Sequence, residues 1–142
     1  AKILLHRCDE NLYQALNQQT SMFNMPPSEI GSIDTYLEDE MDFSLENTKL
    51  KSFIKTIFTP GHTEGSCCFY TEEFESPMLF SGDTLFQNSI GRTDLPGGDF
   101  DTIKKSIKSR LYDLPEETQV ITGHGPMTSI ANEKKFNPFV SA

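Results

Sequence analysis

The sequence predicts a single mixed α/β (α+β) domain over residues 1–142. Short apolar runs rich in β-branched and aromatic residues alternate with polar turns, a pattern typical of strands. One segment after Asp99 has helical periodicity instead. A chain of this length fits one domain with a buried core. Together these observations favour one sheet-containing domain with at least one long helix.

The N-terminal third combines weak signals. Residues 2–5 are predicted to form a short buried strand. Asp9 is placed to cap a helix that carries Leu12, Tyr13 and Leu16 at helical spacing. Residues 21–45 contain two adjacent prolines, a glycine and scattered acids, which predict an irregular insertion or loop with short elements.

The centre of the chain reads as strands. Leu50–Phe58 also fits the helical template, but it is short and β-branched, and Pro60 pushes Thr59 toward extended geometry, so we predict a strand. Residues 65–70 and 78–81 are predicted strands joined by a polar connection, and residues 119–122 are a last short strand.

The segment after Asp99 carries the clearest helix signal. Asp99 is a suitable N-cap, and apolar residues recur along one face of the segment that follows. These residues are Phe100, Ile103, Ile107, Leu111 and Leu114. The helix is therefore expected to pack this face on the sheet.

Composition excludes several classes of partner. The net charge is −9 and the isoelectric point is about 4.7, which argues against nucleic acid or an anionic membrane as partner. No apolar stretch approaches the ~20 residues that a membrane span needs, and no signal peptide is evident. Cys8, Cys67 and Cys68 follow no regular spacing, so we expect a reducing, cytoplasmic setting without disulfides or cysteine-bound zinc.

Three segments share one design: an apolar run, a glycine, and a residue able to bind metal. They are "FTPGHT" with His62, "LFSGDT" with Asp83 and "VITGHGP" with His124. Each alone is explained more simply by a turn. All three together, in a chain with only three histidines, favour a metal site of zinc or non-haem iron type. For the third histidine, His6, a structural role is favoured over a place at the site rim.

The same segments resemble a known superfamily. "TPGHTEGS" at 59–66, "LFSGDTLFQNSIGRTDLPGGD" at 79–99 and "TGHGPMTSI" at 122–130 resemble the metallo-β-lactamase superfamily, as does the ending "ANEKKFNPFV". The resemblance is greatest to glyoxalase II-like hydrolases of the short type, without the helical glutathione-binding domain. It is good over residues 50–140 and weak over residues 1–6.

The resemblance implies an αββα sandwich with a two-metal site between its sheets. His62 matches a ligand of the first metal, Asp83 the carboxylate that bridges both metals, and His124 a ligand of the second. Asp83 is thereby also placed among the catalytic residues. Arg92 and Asp94 match a supporting ion pair, and Gly61, Gly82 and Gly123 supporting positions. The expected cofactor is zinc, two ions per intact site, with iron or manganese as alternatives.

The sequence departs from the superfamily in one respect. The motif His-x-His-x-Asp-His, which supplies further ligands to each metal, is absent. We therefore expect the chain to correspond to the C-terminal part of a longer protein, with the N-terminal strands and metal loop missing, and to be weakly active or inactive by itself. The sheet that those strands would cover is then expected to promote self-association or domain swapping.

Three functions remain open. The first is hydrolysis of a small-molecule thioester, resembling hydroxyacylglutathione hydrolase, in which a metal-bound hydroxide attacks the carbonyl. The second is a non-haem iron persulfide dioxygenase-like protein of the same superfamily. The third is a non-catalytic truncated relative that serves as an assembly module. Substrate-binding residues are not identified; Arg92 could meet an anionic substrate, while Lys134 and Lys135 are better explained as solvated surface.

Overall fold

The computed structural model describes residues 2–22, 24–44 and 53–141. The strands are β1 (Leu4–His6), β2 (Thr35–Leu37), β3 (Asp42–Phe43), β4 (Ile54–Phe58), β5 (Cys67–Thr71), β6 (Met78–Gly82), β7 (Leu85–Phe86), β8 (Ser89–Ile90), β9 (Gln119–Thr122) and β10 (Thr128–Ser129). The helices are α1 (Glu10–Gln14), α2 (Leu16–Met22), α3 (Phe100–Ser106) and α4 (Ile130–Phe136). A single 3-10 turn (Arg7–Asp9) precedes α1, and a π-helical segment (Ile107–Leu111) continues α3. The prediction of a mixed α/β fold is confirmed.

A six-stranded sheet with the order β10-β9-β6-β5-β4-β3 forms the centre of the domain. Strand β5 runs antiparallel to both β4 and β6, and β6 runs parallel to β9. It follows that β4, β6 and β9 share one direction, so their C-terminal ends reach the same edge of the sheet. The other strands form two small sheets, β1 with β2 in parallel and β7 with β8 as a hairpin.

The hydrophobic core lies between one face of this sheet and the helix after Asp99. Residues Cys68, Leu79 and Val120 alternate with residues of the opposite face and are fully buried. Ile103, Ile107 and Leu111 from the helix belong to the same core cluster. Truncating one of these side chains, for example Leu79→Ala, is expected to cost about 2–5 kcal/mol of stability.

The helix after Asp99 begins as predicted. The Asp99 carboxylate accepts a hydrogen bond from the backbone N–H of Thr102 at 2.7 Å, as an N-cap does. Hydrogen bonding from the Thr102 side chain, and then from its backbone, lowers the pKa of Asp99. Two of the predicted face residues are less buried than the pattern suggested, because Phe100 is 44% exposed and Leu114 only packs partly against the core. Phe100 is the first residue of the helix, and Leu114 lies beyond Leu111, where the helical segment ends.

Several boundaries differ from the sequence prediction. Strand β1 covers Leu4–His6, not residues 2–5, and β4 starts at Ile54. Leu50, the predicted first residue of that strand, lies outside the described residues. In the predicted irregular region 21–45, residues 25–34 form neither helix nor strand, whereas β2 and β3 lie within it; Phe23 and Leu45 are outside the described residues. The hairpin β7–β8 and the unit β10–α4 were not predicted.

Asp9 does not act as the predicted helix cap. It occupies the N-cap position of α1, but its side chain makes no capping hydrogen bond. The carboxylate instead accepts hydrogen bonds from the backbone N–H of Gly65 and the hydroxyl of Thr63, each at 2.7 Å. The Asp9 carboxylate thus binds Thr63 and Gly65, which are distant in the sequence, and not the nearby N–H groups of α1. Sequence spacing cannot indicate this choice of partner.

The second face of the sheet is partly open. Phe58 on this face is stacked on His6 of β1, with ring centroids 4.3 Å apart. Farther along the sheet, Phe69 lies opposite Phe80 and Phe80 opposite Ile121. The Phe80 residue is 37% exposed. An apolar sheet face is thus covered at β4 by β1 and exposed at β6.

Candidate metal centre

The three predicted ligands follow the three strands that end at one edge of the sheet. His62 comes after β4 and the turn Thr59–Gly61, Asp83 directly follows β6, and His124 comes after β9. Because β6 and β9 are parallel neighbours, Gly82 lies opposite Thr122 and the two chains leave the sheet together. Strand β5 separates β4 from β6 in the sheet. His62 reaches the site through the turn that follows β4.

Asp83 lies within reach of both imidazoles. Its Oδ2 is 3.8 Å from Nε2 of His62, and its Oδ1 is 3.7 Å from Nε2 of His124. Each oxygen of the carboxylate therefore faces a different histidine. The structure brings together all three residues that the sequence singled out, with the Asp83 carboxylate near both imidazoles.

The orientation of the His62 ring is fixed from behind. Its Nδ1 lies 2.8 Å from the backbone carbonyl oxygen of Arg92. Since a carbonyl oxygen can only accept, Nδ1 carries the hydrogen and donates it, which leaves the lone pair of a neutral ring on Nε2. The ring thus presents its free nitrogen toward Asp83, as metal-binding histidines usually do.

Glycines make room around Asp83. A Cβ atom on Gly123 would lie 2.3 Å from Oδ1 of Asp83, and one on Gly91 would lie 1.8 Å from the Asp83 carbonyl oxygen. Gly82 has a φ of +50°, a conformation that favours glycine, where β6 bulges before Asp83. Gly61 approaches the backbone of Ile103 closely and fixes the turn against α3. Gly61 and Gly123 are thus required for space, whereas at Gly82 only the backbone conformation favours glycine, because a Cβ there would meet nothing within 4 Å.

The turn after His62 is held by groups that the sequence analysis did not assign to the site. The Asp9 carboxylate binds Thr63 and Gly65, as described above, and the Thr63 hydroxyl also lies 2.7 Å from that of Ser66. On the other side, Gly61 accepts a hydrogen bond from the N–H of Asp99 at 2.8 Å. The base of the turn is therefore tied both to the N-terminal segment and to α3.

Arg92 and Asp94 form a two-point ion pair. The guanidinium donates from Nε and Nη2 to the two carboxylate oxygens, both at 2.8 Å. This hydrogen bonding to Arg92 lowers the pKa of Asp94 to about 2. The pair is exposed, so it contributes little to stability.

Two open pockets meet at Asp83. One, of about 430 Å³, is lined by His62, Asp83, Phe86, Ile90, Arg92 and His124 among others. Within it the Phe86 ring contacts the His124 ring, with centroids 4.6 Å apart. The other pocket, of about 400 Å³, includes His6 and lies on the open side of the sheet. Phe86 lines this pocket, although the sequence analysis gave it no role within the motif that contains it.

The contacts of Lys134 and Lys135 lie on other parts of the surface. Lys134 lies 3.5 Å from a carboxylate oxygen of Glu116, and the Lys135 ammonium lies 5.0 Å from the centroid of the Phe136 ring. His6 has its own partners, because it stacks on Phe58 and its Nδ1 accepts from the N–H of Cys8 at 3.3 Å. These contacts do not place the two lysines at the metal centre.

The available nitrogen and oxygen donor atoms limit which metal ions the candidate centre could hold. Within the described parts of the chain, no three His, Cys, Asp or Glu side chains are grouped so that they could hold one metal ion. The reason is geometric, because the two imidazoles face different oxygens of Asp83. Each side offers one nitrogen and one oxygen donor, which fits part of the ligand shell of zinc or iron at each of two positions.

The chain belongs to the metallo-beta-lactamase superfamily, whose profile matches residues 5–124. The resemblance inferred from the motifs is thereby confirmed, and the fold of this family is a metal-binding one. In the described part of the chain, no helix is long and apolar enough to cross a membrane.

Some relatives of the chain are named as hydrolases, and others have no assigned function. It is 39% identical over 137 residues to hydroxyacylglutathione hydrolase GloC of Haemophilus influenzae, covering 94% of this chain and 61% of the relative. It is 47% identical over 88 residues to the probable metallo-hydrolase YqgX of Bacillus subtilis, covering 62% of this chain and 41% of the relative. The chain therefore spans less than two thirds of these proteins.

Solved structures resemble it along nearly its whole length. TTHA1623 in a di-iron-bound form superposes with a TM-score of 0.82 at 35% identity, covering 97% of this chain and 64% of that protein. The B3 metallo-beta-lactamase BLEG-1 superposes with a TM-score of 0.84 at 36% identity, covering 99% and 66%. These comparisons confirm the fold class.

Proposed function

We propose that the chain supplies the His62, Asp83 and His124 part of a two-metal site that hydrolyses a small-molecule thioester. The observation that carries this proposal is the position of Asp83. Its Oδ2 faces the imidazole of His62, and its Oδ1 faces that of His124. The similarity to a protein named hydroxyacylglutathione hydrolase supports the choice of a thioester. Zinc is the proposed metal, with iron or manganese as alternatives.

Bound metal would supply Lewis acidity toward a carbonyl oxygen and would lower the pKa of water. The residues of the chain have separate tasks. His62 donates the hydrogen on Nδ1 to the Arg92 carbonyl, so the lone pair on its Nε2 stays free to bind a metal. Asp83 provides one oxygen to each side, and the pocket beside Phe86 and Ile90 gives an acyl group an apolar wall.

We propose that the ligands other than His62, Asp83 and His124 come from outside these 142 residues. The sequence contains three histidines, and His6 is engaged with Phe58 and Cys8. Zinc in catalytic sites commonly takes three protein ligands, whereas each side here has two. We propose that the chain by itself is weakly active or inactive, and that the exposed Phe80 region of the sheet promotes self-association.

The test is thiol release from S-lactoylglutathione, followed with a thiol reagent. The protein in its longest natural form is assayed after zinc loading, next to the 142-residue chain. We expect release by the longer form, little by the chain, and loss of release in Asp83→Asn of the longer form. Asp113→Asn, at an exposed position, is the matched control. A zinc-loaded longer form that releases no thiol would overturn the hydrolase proposal.

A second candidate is an iron-dependent persulfide oxygenase. The same donor types, imidazole and carboxylate, suit non-haem iron, and the similar TTHA1623 is known in a di-iron-bound form. Oxygen uptake by the iron-loaded protein with a glutathione persulfide would favour this function over hydrolysis. Failure to bind zinc or iron in any form of the protein would favour a non-catalytic assembly module.

A further inference from the structure

A buried carboxylate lies beneath the loop that borders the metal centre. Glu133 on α4 is fully buried. Burying a carboxylate is costly unless hydrogen bonds satisfy it. The structure gives Glu133 four donors, all uncharged: the Thr128 hydroxyl, the Asn132 and Asn137 side-chain amides, and the backbone N–H of Asn88. Their distances lie between 2.6 and 2.9 Å.

The two oxygens of Glu133 serve different elements. Oε1 accepts from Thr128 and Asn132, at the start of α4. Oε2 accepts from the N–H of Asn88 at 2.9 Å and from the Asn137 amide at 2.8 Å. The same Asn137 amide also donates to the carbonyl oxygen of Ser89 at 3.0 Å. Glu133 and Asn137 together therefore hold the turn of the β7–β8 hairpin.

The other side of this hairpin reaches both histidines of the metal centre. Phe86, which pairs with Ser89 across the hairpin, contacts the His124 ring. The chain then continues from Ile90 through Gly91 to Arg92, whose carbonyl holds Nδ1 of His62. A shift of Ser89 would move Phe86 with it, because the two residues are paired.

We propose that Glu133 and Asn137 are positioning residues of the metal centre, acting through the Leu85–Ile90 hairpin to hold Phe86 against His124. This role goes beyond the proposed hydrolysis and depends on it only in treating His124 as a ligand. Glu133→Gln tests it, because all four partners donate and a side-chain amide can accept on one side only. One side of the Glu133 network then loses an acceptor while the side-chain volume is kept, and Asn137→Ala removes the amide that binds both Glu133 and the Ser89 carbonyl.

The readout is the NMR signal of the imidazole ring protons in the metal-free chain labelled at histidine. Phe86→Leu first gives the position of the His124 signals without the neighbouring ring. We expect Glu133→Gln and Asn137→Ala to move the His124 signals from their wild-type position toward that of Phe86→Leu. The His6 signals, set by Phe58 at 4.3 Å, should stay in place and report an intact fold.

Glu116→Gln is the matched control, because Glu116 also contacts α4, through Lys134, but is exposed and does not bind the hairpin. It should leave all three histidines unchanged. Unchanged His124 signals in both network variants, or in Phe86→Leu, would overturn the proposal. So would unfolding of both variants, since the network would then support the whole domain. No metal or substrate is present, so a failed hydrolase proposal leaves the result valid.

Discussion

Nδ1 of His62 donates a hydrogen bond to the carbonyl oxygen of Arg92 at 2.8 Å. The contact uses backbone and not the Arg92 side chain, so the ring orientation depends on the path of the loop. We predict that neutral His62 is the Nδ1–H tautomer. Long-range ¹⁵N–¹H spectra of the imidazoles at mildly alkaline pH measure this directly. A protonated Nε2 in His62 would contradict the structure, and Arg92→Gln should leave the tautomer unchanged.

Asp83 is predicted to contribute to zinc binding at both metal positions, and His62 and His124 at one position each. Asp83→Ala removes both oxygens, so we expect it to weaken zinc binding more than His62→Ala or His124→Ala alone. Each of the three substitutions should weaken zinc affinity at least about tenfold. Removing a group that merely supports a ligand already weakens metal affinity by about that much. Competition with a coloured chelator measures the zinc affinities of the variants, made in the longest natural form of the protein.

His6 supplies the control for these ligand variants. His6→Phe retains a ring to stack on Phe58 and should leave zinc affinity unchanged. A loss of affinity in His6→Phe equal to that in His62→Ala would show that His6 is itself part of the centre. An effect of Asp83→Ala no larger than that of His62→Ala or His124→Ala would contradict the sharing of Asp83.

Gly123→Ala is predicted to disturb the centre while the fold persists. A Cβ at this position would lie 2.3 Å from Oδ1 of Asp83, so the carboxylate has to move away from His124. We expect weaker zinc binding with little change in the circular dichroism spectrum. Gly31→Ala is the matched control, because its new Cβ meets only the flexible end of Ile3. Unchanged zinc affinity in Gly123→Ala would show that Asp83 does not need this space.

The ion pair between Arg110 and Asp39 is predicted to make stability depend on pH. Arg110 donates to both Asp39 oxygens, at 2.7 and 2.9 Å, which lowers the pKa of Asp39 below its ordinary value of 3.8. A lowered carboxyl pKa stabilises the folded state above the ordinary value, and the effect is lost as the pH falls below it. Because the pair is partly exposed, Asp39→Asn should cost about 0.5–1 kcal/mol at pH 7.

Urea unfolding at several pH values checks this prediction. The difference between wild type and Asp39→Asn should shrink as the pH is lowered through 3.8. Asp113→Asn, at an exposed position, should show no such pH-dependent difference. A difference that grows on acidification would contradict the assignment of the effect to the Asp39 carboxylate.

Much of the fold was predictable because its signals are local. Strand β4 and the helix capped by Asp99 follow from β-branched runs, a proline and an N-cap, all within a few residues. Asp9 was misjudged for the opposite reason. Its position predicted a cap, but Thr63 and Gly65, more than fifty residues away, bind its carboxylate. Competition between local and distant partners is not visible in a local pattern.

The sequence by itself determined the donor types of the centre: His62, Asp83 and His124, each after a strand and a glycine. Only the tertiary structure decided how they are shared, because the common direction of β4, β6 and β9 brings residues over sixty positions apart to one edge and turns the Asp83 oxygens to different imidazoles. The contacts of Phe86 with His124 and of Glu133 with Asn88 likewise join residues that are far apart in the sequence. Strand order and direction set which distant side chains meet, and no spacing along the chain encodes those contacts.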